Sequence, residues 1–249
     1  MGNVVSFINQ KGGVAKTTTA INVSAQWAKL GKKILLIDLD PQSSATKAIF
    51  GDTTFEDTIF DVLTSEIDAS QAVVSSEAFG FDLIPSEIML SGMEIILSSK
   101  FGREGILKRA LSEIKENYDI VVIDCSPSLG LLTINALMAS KDIVIPICPE
   151  YFSLKGIDLI LETLKNIHVG LGHKVDVRGI IISKYRNRRI VQKVIQDLRT
   201  NYTIPVFNNF VPESIVVEEA HHKHLPMLQF SPKNPAGRAF ENLAMELWT

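Results

Sequence analysis

Cysteine is scarce in this chain of 249 residues, and only Cys125 and Cys148 are present. Both lie in or beside apolar runs, so we expect buried free thiols in a reducing compartment and no disulfide framework. No apolar run approaches the ~20 residues that a membrane span requires. The first residues also lack a charged segment followed by a long apolar one. We therefore expect a cytoplasmic protein without a secretory signal.

An excess of charge of one sign is also missing. The formal net charge is -3, with 21% charged and 46% hydrophobic residues. This composition is typical of a folded globular protein and excludes a disordered one. The field of the whole molecule gives no reason to expect binding to nucleic acid. Any basic surface must therefore be local.

Short apolar runs rich in β-branched residues alternate with longer helical patterns. Runs that are apolar at every position are typical of strands buried on both faces of a parallel sheet. The alternation predicts an α/β fold, a doubly wound, mostly parallel twisted sheet flanked by helices, in a single domain over residues 1–249. The predicted strands are 4–8, 33–37, 81–84, 120–123, 143–147 and 177–182, and the predicted helices are 16–30, 103–117, 129–138, 154–169, 189–200 and 236–247.

Residues 9–19, between the first strand and the first helix, have the composition of a phosphate-binding loop. The turn at Gly12 and Gly13 lets backbone N–H groups converge on phosphate oxygens, and the start of the helix adds positive potential. Lys16 would then reach the β- and γ-phosphates, and the Thr17 hydroxyl would ligate Mg²⁺. The plainer alternative is a glycine turn before a helix with solvated lysines.

The standard pattern of such loops, G-x-x-x-x-G-K-[ST], is not met at either outer glycine, because Gln10 and Ala15 occupy those positions. A negative φ at Ala15, as at the start of a helix, would be harmless, whereas a positive φ would cost about 1 kcal/mol. Gly12 and Gly13 remain for the sharp part of the turn. We therefore expect a negative φ at Ala15.

Aspartates follow two other predicted strands. Asp38 and Asp40 are two residues apart, so they point to the same side of a buried strand, where their burial needs a compensating charge. A metal–nucleotide complex would supply that charge, whereas a capping role would explain either residue alone. The strand at 120–123 delivers Asp124, which is placed to hold a Mg²⁺-bound water.

The segment Lys-Gly-Gly-Val-x-Lys-Thr-Thr from Lys11 to Thr18, Asp-x-Asp-Pro-Gln from Asp38, and the apolar strand ending at Asp124 resemble the deviant Walker A ATPases of the ParA/MinD family, in its ParA/Soj branch. The likeness extends over nearly the whole chain. It implies a P-loop NTPase fold, ATP and Mg²⁺ as cofactors, and slow, partner-stimulated hydrolysis of ATP to ADP and phosphate.

The same resemblance implies roles for individual residues. Lys11 would be a signature lysine that reaches the nucleotide of a second subunit in an ATP-dependent homodimer, and Asp40 would orient the attacking water. The implied catalytic residues are Lys11, Lys16 and Asp40; the implied nucleotide-binding residues are Lys11, Gly12, Gly13, Val14, Ala15, Lys16, Thr17, Thr18 and Pro212; and the implied metal site comprises Thr17, Asp38 and Asp124.

A basic segment follows the last predicted strand. From Lys184 to Arg199 there are six basic residues and one acidic residue. Such a stripe is most often a solvated helix face, but ParA-type dimers bind DNA non-specifically through basic residues near this helix. Glu213 argues against DNA binding, because ParA/Soj proteins usually carry arginine there. The candidate DNA contacts are Lys184, Arg186, Arg188, Arg189 and Lys193, and the expected buried stripe of the helix is Ile190, Val191, Val194, Ile195 and Leu198.

The resemblance implies a switch for partitioning plasmid or chromosomal DNA, associated with the nucleoid and stimulated by a ParB-like activator. One alternative is a MinD-like spatial regulator that positions a protein assembly. Another is a metabolic P-loop ligase such as dethiobiotin synthetase, which would have no use for Lys11. We expect no membrane binding, because the final helix lacks the basic extension of MinD.

Two kinds of metal centre are further alternatives, a zinc site and an iron–sulfur cluster. His221, His222 and His224 lack the helical i, i+4 spacing of zinc ligands. An iron–sulfur enzyme related to nitrogenase reductase would need cluster-ligating cysteines, but Cys125 and Cys148 fall at strand positions. We expect neither a zinc site nor an iron–sulfur cluster.

Overall fold

A central sheet organises the molecule. The computed structural model describes residues 2–150 and 153–248. The strands in these ranges are β1 (Asn3–Phe7), β2 (Ile34–Leu39), β3 (Val74–Ser76), β4 (Phe81–Ile84), β5 (Ile120–Cys125), β6 (Asp142–Ile147) and β7 (Asp176–Ile182). They form one sheet in the order β3-β4-β2-β5-β1-β6-β7, and every neighbouring pair is parallel except β3 with β4. The predicted fold class is confirmed.

Helices connect the strands and cover both faces of the sheet. The α-helices of the described residues are α1 (Lys16–Lys29), α2 (Ser44–Phe50), α3 (Ile59–Thr64), α4 (Met93–Ser98), α5 (Ile106–Ala110), α6 (Leu131–Ala139), α7 (Ser153–Leu171), α8 (Arg189–Asn201), α9 (Val216–His222), α10 (Met227–Phe230) and α11 (Pro235–Trp248). Three 3₁₀-helices lie at Ile88–Gly92, Arg103–Gly105 and Ile114–Asn117.

The alternation of side chains along β2 shows how the two layers form. Leu35 and Ile37 belong to an apolar cluster that also contains residues of α6 and α8. Ile34 and Leu36 point to the opposite face and join a cluster with residues of α1 and α11. Strands buried on both faces explain why their sequences are apolar at nearly every position. Trp27 ties α1 to α11 through a hydrogen bond from its Nε1 to the carbonyl of Ala244, at 2.9 Å.

Several features of the fold differ from the sequence-based expectation, and the short helices α2, α3, α4, α9 and α10 were not predicted. The short antiparallel edge strand β3 was not predicted, because it has only three residues and a mixed burial pattern. The single helix predicted over 103–117 was wrong, since this segment is α5 between two 3₁₀-helices. The Ser112 hydroxyl donates to the carbonyl of Arg109 at 2.7 Å, where the helix stops. Such local bonds compete with the helical pattern.

The carboxyl ends of the central strands position the chemistry. Asp38 of β2 is in register with Asp124 of β5, and Asp124 is in register with Phe7 of β1. The loops that leave β1, β2 and β5 therefore emerge side by side at one edge. In open parallel sheets, this edge is where ligands bind.

Candidate functional site

Polar side chains fix the loop between β1 and α1 to the neighbouring strands. The Asn9 side chain donates from Nδ2 to the carbonyl of Pro146 at 2.7 Å and accepts at Oδ1 from the backbone N–H of Lys11 at 2.8 Å. The Ser183 hydroxyl lies 2.7 Å from the carbonyl oxygen of Val14. The loop is thus held to the ends of β6 and β7 before any ligand is bound.

The glycines of this loop leave an open cradle. A Cβ added at Gly12 or Gly13 would have no neighbouring atom within 4 Å, and Gly13 has a φ of 74°. Bare backbone N–H groups can therefore approach a phosphate closely. Val14 points the other way, because its side chain is buried in the protein.

The backbone of Ala15 contradicts the sequence-based expectation. Its φ is +60°, in the left-handed region, and the predicted negative φ was wrong. The turn into α1 closes at Ala15, so that its carbonyl accepts from the backbone N–H of Thr19 at 3.0 Å and from the Thr19 hydroxyl at 2.6 Å. A left-handed alanine costs about 1 kcal/mol, and the closed loop imposes this conformation.

A cavity of about 600 Å³ opens above the phosphate loop. Its volume lies within the range of small-molecule sites. Lys16 stands in its wall and is only 7% exposed, so its buried charge calls for an anionic partner. The lining residues are Gly12, Gly13, Ala15, Lys16, Thr17, Thr18, Asp40, Ser44, Pro127, Lys184, Val211, Pro212, Glu213, Ser214, Ile215, Val217, Glu218, His221 and Phe240.

A hydrogen-bond network holds Asp38 and Asp40. Thr46 donates to Oδ2 of Asp38 from its backbone N–H at 2.8 Å and from its hydroxyl at 2.7 Å. Oδ1 of Asp38 accepts from the backbone N–H of Asp40 at 3.2 Å, and the Ser86 hydroxyl donates to the carbonyl of Asp40 at 2.8 Å. Burial nevertheless raises the pKa of Asp38 to about 6, against the lowering effect of these bonds.

Asp124 is the least satisfied polar group of the site. Both carboxylate oxygens are buried and, among the described residues, make no hydrogen bond of ordinary geometry. Burial and the charge of Asp38 raise the pKa of Asp124 to about 8, although the nearby Thr17 hydroxyl and Lys16 ammonium lower it. An orphaned carboxylate beside a buried lysine fits a site that is completed by a cation and an anion together.

These aspartates do not form a metal cage by themselves. Within residues 2–150 and 153–248, no group of three or more His, Cys, Asp or Glu side chains is arranged to hold a metal ion. Mg²⁺ in nucleotide sites is bound mainly by phosphate, a hydroxyl and water, with carboxylates acting through water. Thr17, Asp38 and Asp124 fit that arrangement.

Lys11 lies apart from the cavity wall. Its side chain is 47% exposed, and its ammonium group forms an ion pair with Glu150 of the same chain. The backbone N–H of Lys11 is held by Asn9, so the loop presents this side chain outward.

The end of the cavity away from the phosphate loop is lined by residues that were not predicted from the sequence as site residues. Pro212 is the exception. His221 and Val217 of α9 and Phe240 of α11 stand in the wall there. Burial lowers the pKa of His221, and its Nε2 atom is buried with no hydrogen-bond partner in the described part of the chain. No spacing relates these residues to the phosphate loop, so only the fold brings them together.

The basic segment divides into two parts. Lys184 lines the cavity, and Arg186 forms an ion pair with Glu213. Arg188 and Arg189 are exposed at the start of α8.

The rest of α8 follows the expected pattern with one exception. Val191, Val194, Ile195 and Leu198 are buried, and Lys193 is exposed. The expectation that Ile190 is buried was wrong, since it is 56% exposed. Ile190 belongs to the first turn, and residues 186–190 are all exposed.

The length and packing of the helices bear on membrane insertion and on the hydrophobic core. Across the described ranges, no helix combines the length and the apolar character needed to cross a bilayer. Helix α11 buries an apolar stripe against α1. Its buried residues include Ala236, Phe240, Leu243, Ala244 and Leu247.

Comparisons of the sequence with known proteins agree with one another. A protein-family model described as "AAA domain" matches residues 2–177. The chain is 35% identical over 249 residues to the sporulation initiation inhibitor protein Soj of Bacillus subtilis, covering 99% of this chain and 98% of that protein. It is 36% identical over 248 residues to the chromosome-partitioning ATPase Soj of Treponema pallidum, covering 99% and 97% of the two chains.

A solved structure shares the fold at a similar level of identity. The cobyrinic acid a,c-diamide synthase of Mycobacterium smegmatis with bound ADP and magnesium superposes with a TM-score of 0.86 at 31% sequence identity. The match covers 98% of this chain and 93% of the mycobacterial one. That protein has also been solved with an ATP analogue and magnesium.

Proposed function

Because the chain belongs to the ParA/Soj group of the ParA/MinD family of P-loop ATPases, we propose that it is an ATP-dependent, dimerising switch that partitions plasmid or chromosomal DNA. One observation carries the proposal. The buried Lys16 and the unpartnered carboxylate of Asp124 are close enough to influence each other electrostatically, and both lie beside an open cradle of backbone N–H groups. A magnesium–nucleotide complex satisfies all of these groups at once.

The phosphate groups are bound by the loop. Gly12, Gly13 and Ala15 present backbone N–H groups to the phosphates, Lys16 neutralises their charge, and the start of α1 adds its dipole. Thr17 would supply a hydroxyl ligand to Mg²⁺, and Asp38 and Asp124 would orient water bound to the ion. The ion, when present, balances charge that develops on the phosphates during hydrolysis.

Asp40 is assigned to the attacking water. Its carboxylate stands in the cavity wall, and its backbone is fixed by Ser86 and Asp38. Phosphoryl transfer to water depends on positioning and charge stabilisation more than on covalent catalysis. With Asp40 alone holding the water, ATP hydrolysis would be slow. A ParB-like activator would accelerate the hydrolysis.

Lys11 makes the site depend on a second subunit. Its outward position suits an ammonium group that contacts the nucleotide of a partner copy. ATP then joins two subunits, and hydrolysis releases them.

The DNA-binding surface is assigned to the start of α8. Arg188, Arg189 and Lys193 are exposed there, and a dimer presents two such sets to phosphates without reading the base sequence. This surface would associate the ATP-bound dimer with the nucleoid.

The name of the mycobacterial neighbour supports a second candidate function, that of a metabolic synthase. Such an enzyme would turn over ATP with a small organic substrate and independently of DNA. A spatial regulator of a protein assembly would instead use the same ATP switch with a protein cargo. Capture of partners with the ATP-bound protein separates that regulator from a DNA-partitioning ATPase.

The central experiment measures retention of double-stranded DNA with ATP, with ADP and without nucleotide. We expect ATP-dependent retention that is lost in high salt, and a strong loss in the double variant Arg188→Gln/Arg189→Gln. The matched control is Lys29→Gln/Lys141→Gln. It removes two exposed charges that lie near the amino ends of the strands, away from the proposed site. DNA binding that ignores the nucleotide, or that falls equally in the control, would contradict the proposal.

A further inference from the structure

Glu213 occupies a position between the proposed nucleotide cavity and the proposed DNA surface. Its carboxylate forms an ion pair with Arg186, and the residue also lines the cavity. We infer that Glu213 is a built-in competitor of DNA phosphate for Arg186, which keeps the DNA affinity of the ATP-bound dimer low. This inference rests on the proposed function and concerns how its DNA binding is regulated.

The competition depends on Glu213 being charged and close. The hydrogen bond and the charge of Arg186 lower the pKa of Glu213, with smaller effects from Lys184 and Arg188. The carboxylate is therefore ionised at neutral pH. A carboxylate and a phosphate oxygen bind the same donors of a guanidinium group, so only one of them can hold those donors at a time.

Backbone hydrogen bonds tether the competitor to its target. The N–H of Tyr185 donates to the carbonyl of Val211 at 2.9 Å, and the N–H of Glu213 donates to the carbonyl of Tyr185 at 3.3 Å. The rings of Tyr185 and Phe210 pack with their centroids 5.1 Å apart. The two segments are therefore tied together, and the carboxylate is held at a high effective concentration near Arg186.

The neighbouring basic residues lack such a competitor. Within the described residues, Arg188, Arg189 and Lys193 form no ion pair. DNA can contact these three side chains directly, whereas at Arg186 its phosphate must compete with Glu213, which accepts from the Nε donor of the guanidinium group. Both side chains of the pair are partly exposed, at 52% for Arg186 and 40% for Glu213. A DNA phosphate can therefore replace the Glu213 carboxylate at Arg186 without unfolding any part of the chain.

The size of the effect follows from the weakness of exposed ion pairs. Such pairs stabilise a protein by an amount that corresponds to a factor of about 1.5 to 5 in an equilibrium constant. Removing the competitor should thus tighten DNA binding about two- to fivefold per subunit. The released guanidinium also adds one phosphate contact, which steepens the dependence of log K on log salt by about 0.9 per subunit.

The test is a double-mutant cycle on binding of double-stranded DNA in the presence of ATP. It uses the wild type, Glu213→Gln, Arg186→Gln and the double variant. The matched control is Glu219→Gln, because Glu219 is exposed on the nearby helix α9, is not among the residues that line the cavity and makes no ion pair in the described part of the chain. Thermal unfolding of each variant checks that it is folded.

We expect Glu213→Gln to bind DNA more tightly and with a steeper salt dependence, and to have no effect in the Arg186→Gln background. Glu219→Gln should change binding much less. If the wild type binds DNA but Glu213→Gln does not bind more tightly, or tightens equally without Arg186, the inference is overturned while the proposed function stands. If none of the variants binds DNA with ATP, both fail.

Discussion

The ammonium group of Lys11 is ion-paired with the carboxylate of Glu150 in its own chain. In the proposed dimer the same ammonium group contacts the nucleotide of the partner subunit, so this pair must open on assembly. Both side chains are about half exposed, and such pairs are weak. The pair therefore holds Lys11 in an outward position at little cost to dimerisation.

We expect Lys11→Ala to abolish dimerisation by ATP, because the nucleotide of each subunit then loses a cation from across the interface. Size-exclusion chromatography with ATP and with a non-hydrolysable analogue measures this. Glu150→Gln is the matched variant, and it should favour the dimer by up to about fivefold because Lys11 is released. A Lys11→Ala protein that dimerises like the wild type would exclude the mechanism.

Asp40→Ala is expected to give a dimer that persists with ATP. The cavity keeps its phosphate-binding groups, but the water loses the carboxylate that positions it. Phosphate release should fall by about 100-fold or more, as is typical when a positioning group is removed, while dimer formation remains. Asp52→Ala, at an exposed site, serves as the control. Rapid dissociation of the Asp40→Ala dimer would argue against this role.

Asp124 should make the stability of the nucleotide-free protein depend on pH. Its pKa is raised to about 8 in the folded state from 3.8, so the folded chain binds this proton more tightly than the unfolded chain does. The resulting stabilisation is present below about pH 4 and is lost as the pH rises through 8.

Between pH 5 and pH 8, the free energy of unfolding of the wild type should therefore fall by about 3–4 kcal/mol more than that of Asp124→Asn. Urea denaturation in magnesium-free buffer measures both proteins. Comparing the two slopes cancels the titrating groups that do not interact with Asp124, including His221. Parallel pH profiles would show that Asp124 is ionised in the folded protein.

Ala15→Gly tests the left-handed turn of the phosphate loop. Because Ala15 has a φ of +60°, glycine should raise the free energy of unfolding by about 0.5–1 kcal/mol, after allowing for the greater freedom of glycine in the unfolded chain. Ala20→Gly, inside α1 and buried, should lower it by about 1 kcal/mol. Destabilisation by both substitutions would mean that Ala15 is not strained.

Much of the site could be predicted because it lies at strand ends. Apolar runs identify β2 and β5, and the polar residue that ends each run, Asp38 or Asp124, stands at the edge where parallel strands bind ligands. The phosphate loop was recognisable because the segment from Lys11 to Thr18 resembles the deviant Walker A loop of the ParA/MinD family, although the standard loop pattern is not met. These signals are local in the sequence, and the buried strands leave little freedom in their arrangement.

Other features depend on tertiary contacts and carry no local signal. The φ of Ala15 is set by closure of the loop against α1, and the pairing of Arg186 with Glu213 joins residues that are 27 positions apart. His221 and Phe240 reach the cavity only after α9 and α11 have packed. Lys184, predicted as a DNA contact, lines the cavity because it lies two residues after the end of β7.

The hydroxyl of Ser183 lies 2.7 Å from the carbonyl oxygen of Val14 and 2.8 Å from that of Ile147. The carboxylates that complete the site come from β2 and β5, on the other side of β1. A fragment ending at residue 177 would keep the loop, both lysines and all three aspartates, yet lose this brace and the cavity wall beyond it. Nucleotide binding should therefore return only when the missing C-terminal piece is supplied, so the chain could be engineered as a split reporter.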